Sequence, residues 1–191
     1  MPFDSASINQ IVREAGISRG SFYMYFDGKE DLLIYLLRDF MDSILQMAHE
    51  TLRTTRGDLF ALPLALYDYV LDHCKDEHSA RFLRNVYTFI HTKSSASSPE
   101  TIIQRLAPHY SPKKLYHIID QSRLNAETEY DLQDILCILL SVTLNSLALV
   151  LLGPQQRDDA RAHLANKIKL LRQGLERKLP AHLPEGDSCY A

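Results

Sequence analysis

The sequence predicts an all-α fold in two unequal parts, and three observations carry that expectation. Apolar residues recur at three- and four-residue spacings through most of the chain, which is the period of a helix buried on one face. Only 7 of the 191 residues are glycine and 8 are proline, too few to punctuate the many turns of a sandwich or barrel. No segment argues convincingly for a strand, and the chain has no internal repeat.

The elements follow in order. Ile8, Ile11, Val12 and Ala15 make the stripe of a short helix, with an S-x-x-Q capping box at Ser7 and Gln10 and a stop at Gly16. Ser18 caps a second short helix, Arg19 to Tyr25, with Phe22 and Phe26 on its apolar side. Asp27 and Glu30 form a D-x-x-E pattern opening a third helix. Its stripe runs through Leu33, Leu36, Leu37, Phe40, Met41, Ile44 and Leu45 and frays near Thr54 to Gly57. A fourth spans Asp58 to about Lys75, carrying Phe60, Leu64, Tyr67, Val70, Leu71 and Cys74. Ser79 caps a fifth, to about Thr92, with Phe82, Leu83, Val86 and Phe89 inward. Lys93 to Ser98 is a polar loop, and Ser98-Pro99 and Ser111-Pro112 each start a further helix with proline in its first turn. Asp131 to Leu152 is strongly apolar and ends at Gly153-Pro154, and Asp158 to Leu179 follows with Leu164, Ile168, Leu171 and Leu175 inward.

Composition narrows the class. With 46% hydrophobic and 24% charged residues, the chain is that of a folded, soluble protein. A net charge of -3 gives no global pull towards nucleic acid, so any DNA binding must come from a local surface. Cys74, Cys137 and Cys189 are odd in number and widely spaced, which opposes a disulfide framework and points to a reducing, cytoplasmic setting. Met1-Pro2-Phe3-Asp4 has neither the basic start nor the apolar stretch of a signal peptide. Ile135 to Leu152 approaches the length of a membrane span, yet Ser141, Thr143, Asn145 and Ser146 interrupt it and no basic cluster flanks it. It is expected to lie buried within protein, with no membrane partner.

Two short helices around a tight, glycine-containing turn make a helix-turn-helix pattern, whose second helix enters the DNA major groove. An incidental helical corner gives the same pattern, and the residue types on the second helix weigh against it. Arg19, Ser21, Tyr23 and Tyr25 place hydrogen-bonding groups away from Phe22 and Phe26, and Gly20 removes bulk where a base could approach. Ser5 to Lys29 carries three cations, Arg13, Arg19 and Lys29, against Glu14 and Asp27, and is only weakly basic.

The string SINQIVREAGISRGSFYMYFDGKEDLL resembles the DNA-binding signature of TetR-family transcriptional regulators through Ile11, Ala15, Gly16, Ser18, Gly20, Tyr23, Tyr25, Phe26, Lys29 and Leu32. The resemblance implies phosphate contacts from Ser7, Ser21, Tyr23, Tyr25 and Lys29, and base contacts from Arg19 and Gly20 with help from Tyr23. Gly28 stands where a small polar cap is usual, and Asp27 is the expected substitute. Family members carry a complete helix ahead of the motif, whereas six residues precede Ser7 here. That implies a start upstream of Met1 or a genuinely shortened head, and a loosened domain with reduced operator affinity.

The expected organisation is a DNA-binding domain at 1–51 (helix-turn-helix 7–26, linking helix 29–51), a helical effector-binding and dimerisation domain at 58–179, and a flexible tail at 180–191. Residues 131–152 and 158–179 are the expected homodimer helices. Tyr67, Phe82, Val86, Tyr87, Phe89, Tyr110, Tyr116 and Ile119, with Asn145 as polar anchor, are candidates to line a pocket for an apolar or aromatic effector. Each of these is individually commoner as plain core. The chain is thus expected to be a ligand-responsive repressor of a palindromic DNA operator, with a helical binding module of weak DNA affinity as the alternative. No cofactor, metal site or catalytic constellation is expected: His73, Cys74 and His78 do not converge on one helix face, and His109 and His117 are isolated.

Overall fold

A computed structural model of the chain describes residues 5–93, 113–153 and 155–177, excluding the side chains of residues 89–93 and 113. The helices are α1 (Ile8–Glu14), α2 (Arg19–Tyr23), α3 (Lys29–Thr54), α4 (Leu62–Asp72), α5 (Glu77–Lys93), α6 (Lys113–Tyr116), α7 (Glu129–Leu151) and α8 (Arg157–Leu175). Single 3-10 turns lie at Leu59–Ala61 and Gln121–Arg123. Among the described residues there is no strand, only an isolated antiparallel bridge between Leu124 and Glu176. The all-α expectation stands. Lys93, expected to open a polar loop, is the last residue of α5, while the rest of that loop, the helix expected after Ser98-Pro99, Tyr110 and the tail at 180–191 fall outside the described residues.

Helix starts depart from the sequence reading where another acceptor takes the free amides. Helix α3 has Gly28 as N-cap with no side-chain bond. Asp27 does not cap it; its amide instead donates to the Asp31 carboxylate at 3.1 Å. Helix α5 begins at Glu77 because Asp76, not Ser79, accepts from the amides of His78 and Ser79 at 3.0 and 2.9 Å. Asp58 caps the 3-10 turn that precedes α4 rather than α4 itself, accepting from the Phe60 amide at 3.1 Å. Helix α7 starts two residues early, closed by a capping box between Thr128 and Asp131. Two backbone amides directed at Asp131 hold its carboxyl below the ordinary carboxylate range.

The main core forms where α4, α7 and α8 pack together and the C-terminal half of α3 leans on α4. Leu52 of α3, Tyr67 of α4, Leu132 and Leu139 of α7, and Leu164 and Ile168 of α8 are among its buried members. A smaller cluster joins Leu33 and Leu37 of α3 to Val86 of α5, with Phe82 packed against both clusters. The linking helix therefore has its first half on α5 and its second half in the main core.

The end of α3 is built tightly. The Gly57 amide donates to the Leu52 carbonyl at 2.7 Å, and both Arg56 and Gly57 are left-handed, at φ 56° and 78°. A Cβ on Gly57 would meet the Asp120 amide nitrogen at 2.5 Å and the Ile118 carbonyl at 2.6 Å. Next to it, Arg172 of α8 donates to Asp58 at 2.7 Å and to Glu176 at 3.1 Å. Its guanidinium also stacks 5.1 Å from the Phe60 ring centroid. Arg161 grips the Asp68 carboxylate through two nitrogens, at 2.8 and 2.7 Å, and pins α8 to α4.

Candidate nucleic-acid interface

Short helices such as α1 and α2 depend on well-made ends as well as on packing, and both ends of α1 are well made. Ser7 Oγ accepts from the Gln10 amide at 3.3 Å, while Gln10 Oε1 accepts from the Ser7 amide at 3.0 Å. At its other end the Gly16 amide donates to the Arg13 carbonyl at 3.3 Å and the Ile17 amide to Val12 at 3.0 Å. Those two bonds are the Schellman pattern, which needs the left-handed φ of 66° at Gly16. The chain reverses there, and Ser18 starts α2, its Oγ accepting from the Ser21 amide at 2.9 Å. Phe22 is 2% exposed and fixes the roll of α2. Its ring contacts Phe26 at 5.5 Å between centroids, and Phe26 meets Tyr35 of α3 at 5.6 Å.

With Phe22 turned in, the opposite face of α2 is presented outward. Arg19, Gly20 and Tyr23 are exposed together on it, and Met24 and Tyr25 follow at 78% and 77% exposure. The Arg19 guanidinium donates to the Tyr23 hydroxyl at 3.4 Å and lies 5.6 Å from that ring's centroid. A Cβ on Gly20 would find only Ser18 Oγ, at an ordinary 3.7 Å. Folding therefore does not demand glycine there. Ser21 is turned partly inward, its hydroxyl 2.8 Å from that of Ser18. Half-buried Lys29 sends its ammonium to the Ala6 carbonyl at 3.2 Å, tying α3 to the front of α1. Met24, exposed beside Tyr23, is not singled out by the sequence because it lies off the Phe22–Phe26 stripe and carries no charge.

Comparison with known proteins agrees with this geometry. A family model described as "Bacterial regulatory proteins, tetR family" matches residues 2–36. A second, "Tetracyclin repressor-like, C-terminal domain", matches residues 58–175, more than half of the chain. The chain belongs to the TetR family of transcriptional regulators. It is 35% identical over 79 residues to an uncharacterized HTH-type transcriptional regulator of Bacillus subtilis, covering 37% of this chain and 35% of the relative. It is 29% identical over 51 residues to a fatty acid metabolism regulator protein of the same species, covering 27% of this chain and 26% of the relative. The chain thus spans about a third or less of the length of these relatives. Members of the family are DNA-binding transcriptional regulators that act as dimers on DNA operators and respond to small molecules.

Among the described residues, Tyr67, Phe82, Tyr116 and Ile119 lie in or against the main core, and Val86 lies in the smaller cluster that Phe82 joins to it. Tyr67 is fully buried and donates its hydroxyl to the Arg157 carbonyl at 2.7 Å. Burial raises its pKa, as it does that of half-buried Tyr87. Val86 belongs to the small α3–α5 cluster and Phe82 bridges it to the main core, which also takes Ile119 and, at its edge, Tyr116. Asn145 is exposed on the outer face of α7 and so is not directed at these aromatics. The side chain of Phe89 and the whole of Tyr110 lie outside the described residues. Among the described residues no group of His, Cys, Asp and Glu could hold a metal ion.

Proposed function

We propose that this regulator is a dimeric repressor that binds a palindromic operator and is released by a small apolar or aromatic molecule. The observation that carries the proposal is the outward face of α2, where Arg19, Gly20 and Tyr23 stand exposed on a helix whose roll Phe22 fixes. Arg19 is the side chain able to grip guanine through two nitrogens, and Gly20 allows the backbone close to the base edges. Met24 offers an apolar surface suited to a thymine methyl. Ser7, Ser21, Tyr23, Tyr25 and Lys29 serve as phosphate contacts around that face and fix its register on the duplex.

In this reading residues 1–51 read DNA, residues 58–179 bind effector and partner, and 131–152 with 158–179 form the homodimer. Helix α7 supports the dimer. It is the one helix among the described residues long and apolar enough to cross a membrane, with a mean hydropathy of 2.2, yet only 28% of that apolar window is buried within a single chain. A second copy covers such a face, and the regulator works in the cytoplasm with no membrane. Phe82 and Val86 border α3, so an effector wedged beside them bears on the linking helix that carries the reading head.

Selection of operator sequences from random duplexes by the full chain tests this. The expected product is an inverted repeat with half-sites roughly 34–36 Å apart, bound with an affinity that falls steeply with salt. Enrichment of no sequence, with salt-insensitive association, overturns the proposal in favour of a binding module that does not read DNA.

A further inference from the structure

Arg19 and Tyr23 open and close α2, and both side chains are exposed. Arg19 Nη2 donates to the Tyr23 hydroxyl at 3.4 Å, and the guanidinium carbon lies 5.6 Å from the centroid of that ring. No carboxylate among the described residues pairs with Arg19. The Tyr23 ring is itself held, meeting Phe22 edge-on at 5.5 Å between centroids and 89° between planes. Phe22 is 2% exposed. Orientation thus passes from a buried ring to a surface ring, and from there to a guanidinium. A phenolic hydroxyl accepts through its lone pairs and donates one hydrogen. With Arg19 donating to it, the Tyr23 oxygen keeps its own hydrogen for an acceptor outside the protein, and a DNA phosphate is such an acceptor. The guanidinium commits one N–H and retains a fork for guanine.

We infer that Tyr23 is a positioning residue for Arg19, holding the guanidinium on the reading face and coupling a phosphate contact to base recognition. The inference rests on the operator reading above, in which Arg19 meets a guanine and Tyr23 a phosphate. Arginine has a long side chain with several free torsions, and ordering it at the moment of binding opposes association. The bond and the stack on Tyr23 remove part of that freedom before DNA arrives. The benefit falls on the base pair that Arg19 reads, because Arg19 is the side chain being ordered. A tyrosine that only touches phosphate acts differently and strengthens binding to all duplexes alike.

The test uses the full chain and the operator it selects from random duplexes, at low salt so that weak variants stay measurable. Arg19→Ala first identifies the base pair that Arg19 reads, as the position where base preference is lost. Fluorescence anisotropy then gives affinities for the parent, Tyr23→Phe, Arg19→Ala and the double variant. Three duplexes are compared: the operator, the operator altered at that base pair, and an unrelated sequence. Tyr23→Phe keeps the ring and its contact with Phe22, so an unchanged Tm is expected. Its discrimination at that base pair should fall about three- to tenfold, the scale of ordering one long side chain, with preferences at other positions kept. In the Arg19→Ala background the same substitution should weaken all three duplexes by one common factor, that of the lost phosphate contact. One common factor in the parent background as well, or full discrimination in Tyr23→Phe, overturns the positioning role alone. An Arg19→Ala variant that keeps every base preference, or a parent that selects no operator, overturns the DNA reading and this inference with it.

Discussion

A Gly20→Ala substitution puts one methyl group on the outer face of α2, where the nearest non-neighbouring atom is Ser18 Oγ at 3.7 Å. No atom of the described residues resists it. Replacing glycine by alanine within a helix lowers the entropy lost on folding and is worth about 0.5–1 kcal/mol. For a chain of this size that corresponds to roughly 1–4 °C in Tm. At the DNA the sign reverses. In the proposed reading the same methyl stands where the backbone approaches base edges, and one spoiled contact typically costs about 1–3 kcal/mol. Each reading head suffers it, so a two-headed complex loses roughly 2–6 kcal/mol, a weakening of about 30-fold or more. No cation is removed, and the slope of affinity against salt should stay as in the parent. Thermal melting, paired with fluorescence anisotropy on the selected operator across a salt series, measures all three quantities. A Tm drop of several degrees would show that Gly20 serves the fold. Unchanged operator affinity would remove it from the reading surface.

Other perturbations test the scaffold. Gly57→Ala should destabilise by roughly 2–5 kcal/mol, combining left-handed strain with a clash against backbone that cannot step aside; denaturant unfolding checks it, and a wild-type midpoint contradicts the packing described at Asp120 and Ile118. Tyr67→Phe removes the 2.7 Å bond to the Arg157 carbonyl, and a loss of about 1–3 kcal/mol with unaltered DNA binding is expected. The carboxyls of Asp76 and Asp131 are held below their ordinary range, Asp76 chiefly by the Ser79 hydroxyl and amide and Asp131 by the amides of Glu127 and Thr128. Groups depressed in the folded state stabilise it above the unfolded carboxylate pKa of about 3.9, and that contribution disappears as pH falls through their folded values. Stability should therefore decline below about pH 4, and less steeply in an Asp76→Asn, Asp131→Asn double variant; identical slopes between pH 5 and 2 refute the assignment.

The sequence by itself determined the parts whose causes are local. Helix α1 was legible with both its ends because Ser7, Gln10 and Gly16 act within a few residues of one another. The two faces of α2 were legible too, since Phe22 and the polar residues opposite it divide a single short helix. Caps at α3 and α5 were misjudged: Gly28 caps α3 with no side-chain bond, and at α5 Asp76 takes the amides for which Ser79 is an equally plausible acceptor by sequence pattern. Only tertiary structure decided which apolar residues are spent on the core. Tyr67 looked like a pocket aromatic and is a core residue bonded to Arg157, a partner ninety positions away. Asn145 looked like an inward anchor and is exposed, because the roll of α7 follows its packing against α4 and α8. A helix apolar on nearly every side carries little periodic signal of its own, so the side left facing solvent is chosen by its neighbours.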